Sequence, residues 1–257
     1  AGGTTTAVSP PNAASATLSV VGARRGSLVL SEFFNYYGTP IPYNWATYFE
    51  VYNNGDTTAY LDGMYVAVTS WQVLHTGFKA NCDVAAYAPY RSDTSRVWVQ
   101  SGLRFPGTGT QYPVLPGEAR VYAADALDHR VASGSTLFPD LSTAAFEQVG
   151  DDADTDNPLA GNMTPAFATT RGAGARGLRP GGTGSWILIT SGPQSRFPTV
   201  TLDPYNVQNG AGVPFTPQTL WGIPREDIVD MYSIDFSADH KAFLATTTYR
   251  YTMCLPW

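Results

Sequence analysis

Charge is what this 257-residue sequence lacks most: 14% of its residues are Asp, Glu, Lys or Arg, against about 25% in typical soluble proteins. Lysine is especially scarce, since two of the 15 basic residues are lysines, Lys79 and Lys241. Few surface charges mean weak repulsion between copies, so the composition favours packing against itself or against an uncharged polymer. Codon usage in a GC-rich genome explains the preference for Arg over Lys equally well.

Long basic runs and long apolar runs are also missing. The net charge is −6, and no basic stretch is present to neutralise phosphates, so we expect no nucleic-acid partner. No apolar run approaches the roughly 18 residues of a membrane-spanning helix, so we expect no transmembrane segment. The sequence starts AGGTTTAVSPPNAASAT, without an initiator Met or a signal-peptide core, which is typical of an exported protein after processing.

Cysteine is limited to Cys82 and Cys254, too few for a disulfide framework. In an exported protein such a pair is most simply one disulfide bond. That bond would join the last strand to a loop in the first third of the chain. Two buried free thiols are the alternative.

Motifs for catalysis are sparse. His75, His129 and His240 stand alone, without a zinc-binding spacing, and no nucleophile elbow occurs. Asp128 beside His129 is a poor acid–base pair, because neighbouring side chains on a turn point apart. Glu32 and Glu50 could face each other on adjacent strands, as glycoside hydrolysis requires of two carboxylates, but a structural role is the more frequent one. We therefore expect no enzymatic activity.

The stretch Leu28–Val68 carries the strongest structural pattern. It contains three runs rich in β-branched and aromatic residues, LVLSEFFNYY, TYFEVYN and MYVAV. The sequence NNGDTT between the second and third runs indicates a hairpin, because Asn and Gly tolerate positive φ. The pattern predicts three antiparallel strands.

The same stretch resembles a lamin tail domain. The motifs that carry the resemblance are SEFF (Ser31–Phe34), YFEVYNNGD (Tyr48–Asp56) and YLDGMY (Tyr60–Tyr65). A closer resemblance, to an uncharacterised family of secreted bacterial proteins, extends through Arg104–His129, Asp154–Met163 and Gly222–Asp230. The resemblance implies an all-β, immunoglobulin-like (lamin-tail-like) β-sandwich with long loop insertions and a few short helices. It implies no reaction, because a fold does not fix a function.

We expect residues 1–21 to form an extended arm and edge strand, and residues 22–257 to form one elaborated sandwich. Further strands are predicted at Val97–Phe105, Ala119–Asp125, Trp186–Thr190, Val229–Phe236 and Ala242–Cys254. Short helical segments are predicted at Ala126–Val131, at Leu141–Val149 with Ser142 as N-cap, and at Pro224–Asp230. Gly161–Gly184 and Pro193–Pro217 are predicted to be loops.

One acidic loop has the character of a metal site. Asp152, Asp154 and Asp156 alternate with other residues and Asn157 follows directly, so several hard oxygens can point at one centre, as calcium requires. The loop lacks the Gly and Glu of an EF-hand. A solvated loop whose Asp and Asn side chains cap turns is the alternative. Calcium is the one candidate cofactor.

Aromatic residues are abundant, with 15 Tyr and six Trp. Tyr36, Tyr37, Tyr43 and Trp45 fall in or beside one loop. Such a group can stack on the apolar faces of sugar rings, or it can form domain core or an assembly interface.

Our first hypothesis for function is a secreted bacterial cell-surface or extracellular structural protein that self-assembles into a filament or surface layer. Residues 1–21 would add a strand to the sheet edge of a neighbouring copy. The alternatives are a polysaccharide-binding module, assisted by calcium, and an accessory subunit of a cell-surface complex.

Overall fold

The fold is described for residues 28–34, 46–69, 93, 95–148, 156–167, 183–202 and 218–235 in a computed structural model. Regular structure in these ranges is almost entirely β-strand, which confirms the predicted all-β class. Helix is limited to α1 (His129–Ser133) and two 3₁₀ turns, Gln194–Arg196 and Arg225–Asp227. Within these ranges no helix has the length and hydrophobicity to cross a membrane.

Thirteen strands lie in the described ranges. They are β1 (Leu28–Phe34), β2 (Tyr48–Asn53), β3 (Ala59–Tyr60), β4 (Tyr65–Thr69), β5 (Arg96–Arg104), β6 (Pro113–Val114), β7 (Ala119–Ala123), β8 (Phe146–Gln148), β9 (Gly161–Ala166), β10 (Thr183–Ile189), β11 (Thr199–Leu202), β12 (Gln218–Pro224) and β13 (Ile228–Asp235). β3 and β6 form a separate two-stranded ladder.

The other eleven strands are linked by hydrogen bonds in the order β1-β2-β7-β8-β9-β5-β4-β10-β13, with β12 and then β11 branching from β5. Pairing is antiparallel except at β7-β8 and β8-β9, which are parallel. β9 is shared between two layers, because residues 161–163 pair with β8 and residues 164–166 pair with β5. The first layer is β1-β2-β7-β8, and the second layer is β5-β4-β10-β13 with β12 and β11.

The main core lies between the two layers. Along β2 the side chains alternate, so Phe49 and Val51 point inward and are fully buried. The Phe49 ring stacks on Tyr122 of the first layer, with centroids 4.6 Å apart, and lies 5.3 Å from Trp186 of the second layer. Burying side chains of this size contributes roughly 1.5–3 kcal/mol each, so this aromatic group is a large part of what holds the layers together.

The second layer is buried on both of its faces. Trp186 to Ile189 in β10 form a continuous buried run, as expected for a strand covered on both sides. On the face away from the main core, Ile187 and Ile189 pack in a second cluster with Phe167 and Phe197. The segments around β9 and β11 therefore cover the back of the sandwich.

The two layers meet again where β1 lies beside β13. The backbone N–H of Leu30 donates to the Asp230 carboxylate at 2.7 Å, and the Phe33 ring stacks on Tyr232 with centroids 4.4 Å apart. In the described residues no backbone ladder joins these two strands. Side chains therefore close this β1–β13 seam.

The predicted hairpin between the second and third runs is wrong. β2 pairs with β1 and β7, whereas β4 lies in the other layer, between β5 and β10. The physical reason is Asn53, whose buried amide donates to the carbonyls of Thr57 and Val114 and accepts from the N–H of Gly55. Asn53 thus bonds to the loop that follows β2 and to β6, and the chain continues from that loop to β4 in the second layer.

Two predictions of local structure also fail. The helix predicted at Leu141–Val149 is absent where described, and β8 occupies its second half, because Ser142 donates its N–H and hydroxyl back to Asp140 instead of capping a helix. The loop predicted at Gly161–Gly184 begins with β9, and the next predicted loop contains β11. Helical segments at α1 and at Arg225–Asp227 agree with the predictions made near them.

A buried carboxylate fixes the long loop between β5 and β6. Asp62 accepts backbone N–H groups of Gly109, Gln111 and Tyr112 at 3.2, 2.8 and 2.9 Å. Burial raises the pKa of Asp62, but the three donors outweigh it, so the net shift is downward. Gly107 must be glycine, because its φ is +92° and a Cβ would lie 2.4 Å from the Asp62 carboxylate.

We predict that Asp62→Asn lowers the free energy of unfolding by about 2 kcal/mol, because the amide turns a donor toward backbone N–H groups that would lose their acceptor. Urea unfolding at pH 7 measures this loss, with the exposed Glu226→Gln as the charge-matched control. Since the folded-state pKa lies below the unfolded value, the stabilisation is complete at neutral pH and disappears in acid, as the pH falls through the folded-state pKa. Equal stability of the two variants would contradict the role given to Asp62.

The β1–β13 seam gives a second prediction. Asp230→Ala removes the acceptor of the Leu30 N–H, so we expect this amide to exchange with solvent at least tenfold faster. Asp230→Asn keeps an oxygen acceptor in place and should preserve most of the protection. Hydrogen exchange followed by NMR reports the Leu30 amide directly, and unchanged protection in the alanine variant would show that the seam does not depend on this bond.

Candidate functional site

A β-bulge in β1 creates the most distinctive surface of the described residues. Leu30 pairs with Val51 and Glu32 pairs with Glu50, so Ser31 is the extra residue. In a regular strand, residues 30 and 32 would share a face, and Glu32 would point into the core with Leu30. The bulge turns Glu32 outward and lets Phe33 pack inward against Trp186, at 5.6 Å between centroids.

Glu32 and Glu50 therefore lie directly opposite each other on the outer face of β1 and β2, as their sequence pattern predicted. Each carboxylate accepts a hydrogen bond from a neighbouring hydroxyl. The Tyr48 hydroxyl donates to Glu32 at 2.5 Å, and the Ser31 hydroxyl donates to Glu50 at 2.6 Å. Like charges opposite each other on adjacent strands are unfavourable, and these two donors offset part of the repulsion.

The ring of Tyr48 belongs to the same surface. It stacks on Phe34, with centroids 5.6 Å apart and planes 8° from parallel. Burial, followed by the hydrogen bond to Glu32, raises the pKa of the Tyr48 hydroxyl, which stays protonated and donates at all physiological pH values. We call the surface formed by Glu32, Phe34, Tyr48 and Glu50 the aromatic–carboxylate face.

The loop with the predicted aromatic group follows this face directly in the sequence. Phe34 is the last described residue of β1, and Tyr36, Tyr37, Tyr43 and Trp45 lie outside the described residues. On the other side of β1, Tyr232 is 43% exposed where it stacks on Phe33. Described aromatic rings thus flank the end of β1 on both sides.

The predicted calcium loop is described only in its last two positions. Asp152 and Asp154 lie outside the described residues. Asp156 accepts a hydrogen bond from the Asn162 amide at 3.0 Å, and the Asn157 amide bonds to backbone carbonyls. In the described part of the chain, no three His, Cys, Asp or Glu side chains are grouped as a metal would require. The calcium site remains a prediction, as does the disulfide, because Cys82 and Cys254 also lie outside the described residues.

Asn157 joins three segments. Its amide donates to the carbonyls of Ala126 and Ser142, both at 2.9 Å, and its backbone N–H donates to the Glu147 carboxylate at 2.6 Å. Glu147 is fully buried in β8 and also accepts the N–H of Ala126 at 3.0 Å. Sequence reasoning missed Glu147, whose one signal was a carboxylate inside a short apolar run.

His129 is buried close to this group. A ring nitrogen lies 2.8 Å from the carbonyl oxygen of Asp125, while Asp128 caps α1 and binds Arg130. The two neighbours thus turn to different partners, in agreement with the sequence reasoning. Burial lowers the pKa of His129, although the bond to Asp125 and the charges of Asp128 and Asp140 act in the opposite direction.

No family model and no curated protein matches the sequence. The fold is similar to the crystal structure of a DUF4876 family protein from Bacteroides thetaiotaomicron, with a TM-score of 0.61 and 20% identity. The match covers 84% of this chain and 55% of that protein, so this chain spans about half its length. The similarity shows a shared sheet-rich fold, and a lamin-tail relationship stays a prediction.

The buried histidine predicts a pH-dependent stability. Unfolded His binds a proton near pH 6.5, and the folded pKa is lower, so the unfolded state holds more protons as the pH falls below 6.5. We expect the free energy of unfolding to fall between pH 7 and 5, by up to about 1.4 kcal/mol per pH unit. His129→Gln should flatten this slope, whereas His75→Gln is the control. Urea unfolding at three pH values measures the slope of the free energy of unfolding against pH. The same slope in His129→Gln and in the wild type would contradict the role given to His129.

Proposed function

We propose that the chain is an extracellular bacterial binding module that holds a cell-surface polysaccharide on the aromatic–carboxylate face. The observation that carries the proposal is the ring of Phe34, stacked on Tyr48 and placed beside two hydrogen-bonded carboxylates. The β1-β2 pair thus presents an aromatic ring, Phe34, beside two carboxylates, Glu32 and Glu50, that hydrogen bonds hold in place.

The chemistry of a sugar fits both elements. The C–H groups on one face of a pyranose pack on an aromatic plane, and its hydroxyls donate to carboxylates at the ring edge. Ser31 and Tyr48 already orient Glu50 and Glu32, so their remaining lone pairs are positioned before a ligand arrives. Preorganised acceptors of this kind lose little conformational freedom on binding, which favours affinity. Calcium at the Asp-rich loop would be an accessory to this binding.

The extracellular location and the relationship to lamin tail domains belong to the same proposal. The scarcity of charge suits a protein that rests against an uncharged polymer. Two packed layers of short strands with long loops are what an elaborated immunoglobulin-like domain would have.

A binding assay tests the proposal. We predict that Phe34→Ala weakens binding to bacterial polysaccharide at least tenfold on a glycan array and by calorimetry, because the stacking plane is lost. Tyr60→Ala is the control, since Tyr60 is an exposed aromatic residue on β3, in the separate β3-β6 ladder, whereas Phe34 is half-buried on β1. Glu32→Gln and Glu50→Gln should each weaken binding by several-fold, with thermal melting as the check that each variant folds.

Two outcomes would contradict the proposal. One is an absence of binding to every polysaccharide tested, and the other is equal loss in Phe34→Ala and Tyr60→Ala. Release of reducing ends from a bound polysaccharide would show that the two carboxylates hydrolyse it, which would replace binding by catalysis.

Self-assembly is the second candidate function, and a separate observation favours it. Val131, Leu137 and Leu159 are 79%, 63% and 88% exposed, an unusual display of aliphatic side chains for a chain with so few charges. They lie near the segments that Asn157 joins, on or after α1 and in the loop before β9. Burial of these side chains against a second molecule would remove apolar surface from water, which favours association. Electron microscopy of the purified protein would show filaments or layers if it assembles extensively.

A further inference from the structure

Among the described residues, β11 is the outermost strand of the second layer. It pairs with β12 from Thr199 opposite Trp221 to Leu202 opposite Gln218, and β12 in turn pairs with β5. No described strand pairs with its other side. We call this outward side the β11 edge.

The register shows which backbone groups the β11 edge presents. The N–H of Gly222 donates to the carbonyl of Pro198 at 2.8 Å, so residues 198 and 222 form a hydrogen-bonded pair. Hydrogen-bonded pairs alternate along an antiparallel ladder, so residues 200 and 202 also turn their backbone groups toward β12. Thr199 and Thr201 therefore turn their N–H and C=O groups away from β12, and both side chains are exposed.

The four residues of β11 carry none of the side-chain features that usually protect an edge against pairing. Exposed edges are commonly blocked by Lys, by an inward-pointing charge or by a bulge, and the sequence TVTL has none of these. Pro198 stands before the strand and removes no outward donor within it. By contrast, the edges of β1 and β13 face each other across the seam, where Asp230 and Tyr232 occupy the space.

We propose that the β11 edge pairs with the β11 edge of a second copy, antiparallel and centred on Val200. In this register Thr199 lies opposite Thr201 of the partner subunit, and each of the two equivalent pairs exchanges two hydrogen bonds. The four outward N–H and C=O pairs of the two strands are thereby satisfied in one symmetric interface. Cross-strand Thr pairs are favourable neighbours, and two Val200 side chains meet at the centre.

A second copy is the occupant that the edge itself specifies. Counted over Thr199–Leu202, a shift of the register by two residues leaves the outward groups of one Thr in each copy without a partner in the opposite β11, so β11 is complementary to itself in one alignment. No charge in β11 opposes another β11, whatever the pH. The pairing rests on the self-assembly candidate and gives it a surface separate from the exposed side chains of Val131, Leu137 and Leu159. It uses the second layer and leaves the aromatic–carboxylate face on the first layer free.

The first experiment measures association by sedimentation velocity over a wide range of concentrations. Wild-type protein should form dimers as the concentration rises. Thr201→Pro removes one outward N–H per copy, hence two of the four intermolecular bonds, without touching the β12 ladder, since proline is tolerated where an edge N–H faces solvent. We expect dimerisation at least tenfold weaker in Thr201→Pro and in Thr201→Lys, and unchanged in Thr201→Val. Thermal melting confirms that the variants fold.

The possible outcomes distinguish pairing through the β11 edge from self-assembly through another surface. If wild type and Thr201→Pro associate equally, the pairing through the β11 edge is wrong, but the self-assembly candidate is still supported. A wild type that stays monomeric at every concentration would overturn both. Deleting residues 1–15 should leave the dimer intact, and loss of the dimer on that deletion would assign the edge to the N-terminal arm of a neighbour instead.

The second experiment tests the register. Opposite residues of a non-hydrogen-bonded pair have Cα atoms about 4.5 Å apart, within the range of a disulfide. Val200→Cys should therefore form a covalent dimer under mild oxidation on a non-reducing gel. Tyr60→Cys is the control, because Tyr60 is exposed but lies on β3, in the separate β3-β6 ladder. Wild type shows the background from Cys82 and Cys254, and equal cross-linking of the two variants would rule out the proposed alignment.

Discussion

Hydrogen bonds from loop backbone to a few buried side-chain oxygens are the interaction on which this fold depends. A sandwich with long loops must bury some loop N–H groups, and each one left without an acceptor costs about 1–3 kcal/mol. Asp62 provides acceptors for three of them between β5 and β6, and Glu147 provides acceptors for two more near α1. Among the described residues, Asp62, Asp125 and Glu147 are the buried acidic residues, and two of the three are committed to this task.

The same groups explain the motifs on which the resemblance to lamin tail domains rests. YLDGMY contains Asp62, and its donors lie in the segment GTGTQY. NNGD begins with Asn53, which binds the carbonyl of Val114, and DNPLAGNM contains Asn157. Each motif is thus one half of a bond between a side chain and a distant loop. The motifs therefore predict how loops are hydrogen-bonded to the two layers, and they carry no information about a ligand.

The sequence predicted local structure better than it predicted partners. Alternation and β-branched content located β2, β5, β7, β10 and β13, because these signals depend on neighbours along the chain. The predicted pairing of β2 with β1 is confirmed, but the predicted pairing with β4 was wrong, since Asn53 bonds to Val114, 61 residues away. β9 was missed because its Gly161 and Pro165 resemble a loop, and its parallel pairing with β8 has no short-range signal. In the candidate site the Glu32–Glu50 pair could be predicted, but the Tyr48 hydrogen bond could not.

At the Ser31 bulge, β1 departs from the strict alternation of inward and outward side chains expected for a strand. With strict alternation, Leu28, Leu30 and Glu32 would share the buried face, and a carboxylate would enter the aromatic core beside Phe49 and Trp186. An extra residue costs ladder hydrogen bonds, yet it exchanges that charge for the ring of Phe33, a far larger gain in a low-dielectric core. The same step sets Glu32 opposite Glu50 and turns Phe34 onto Tyr48. Core packing and the outer face therefore share one cause, so a change that restored regular alternation would remove the face and bury a charge together.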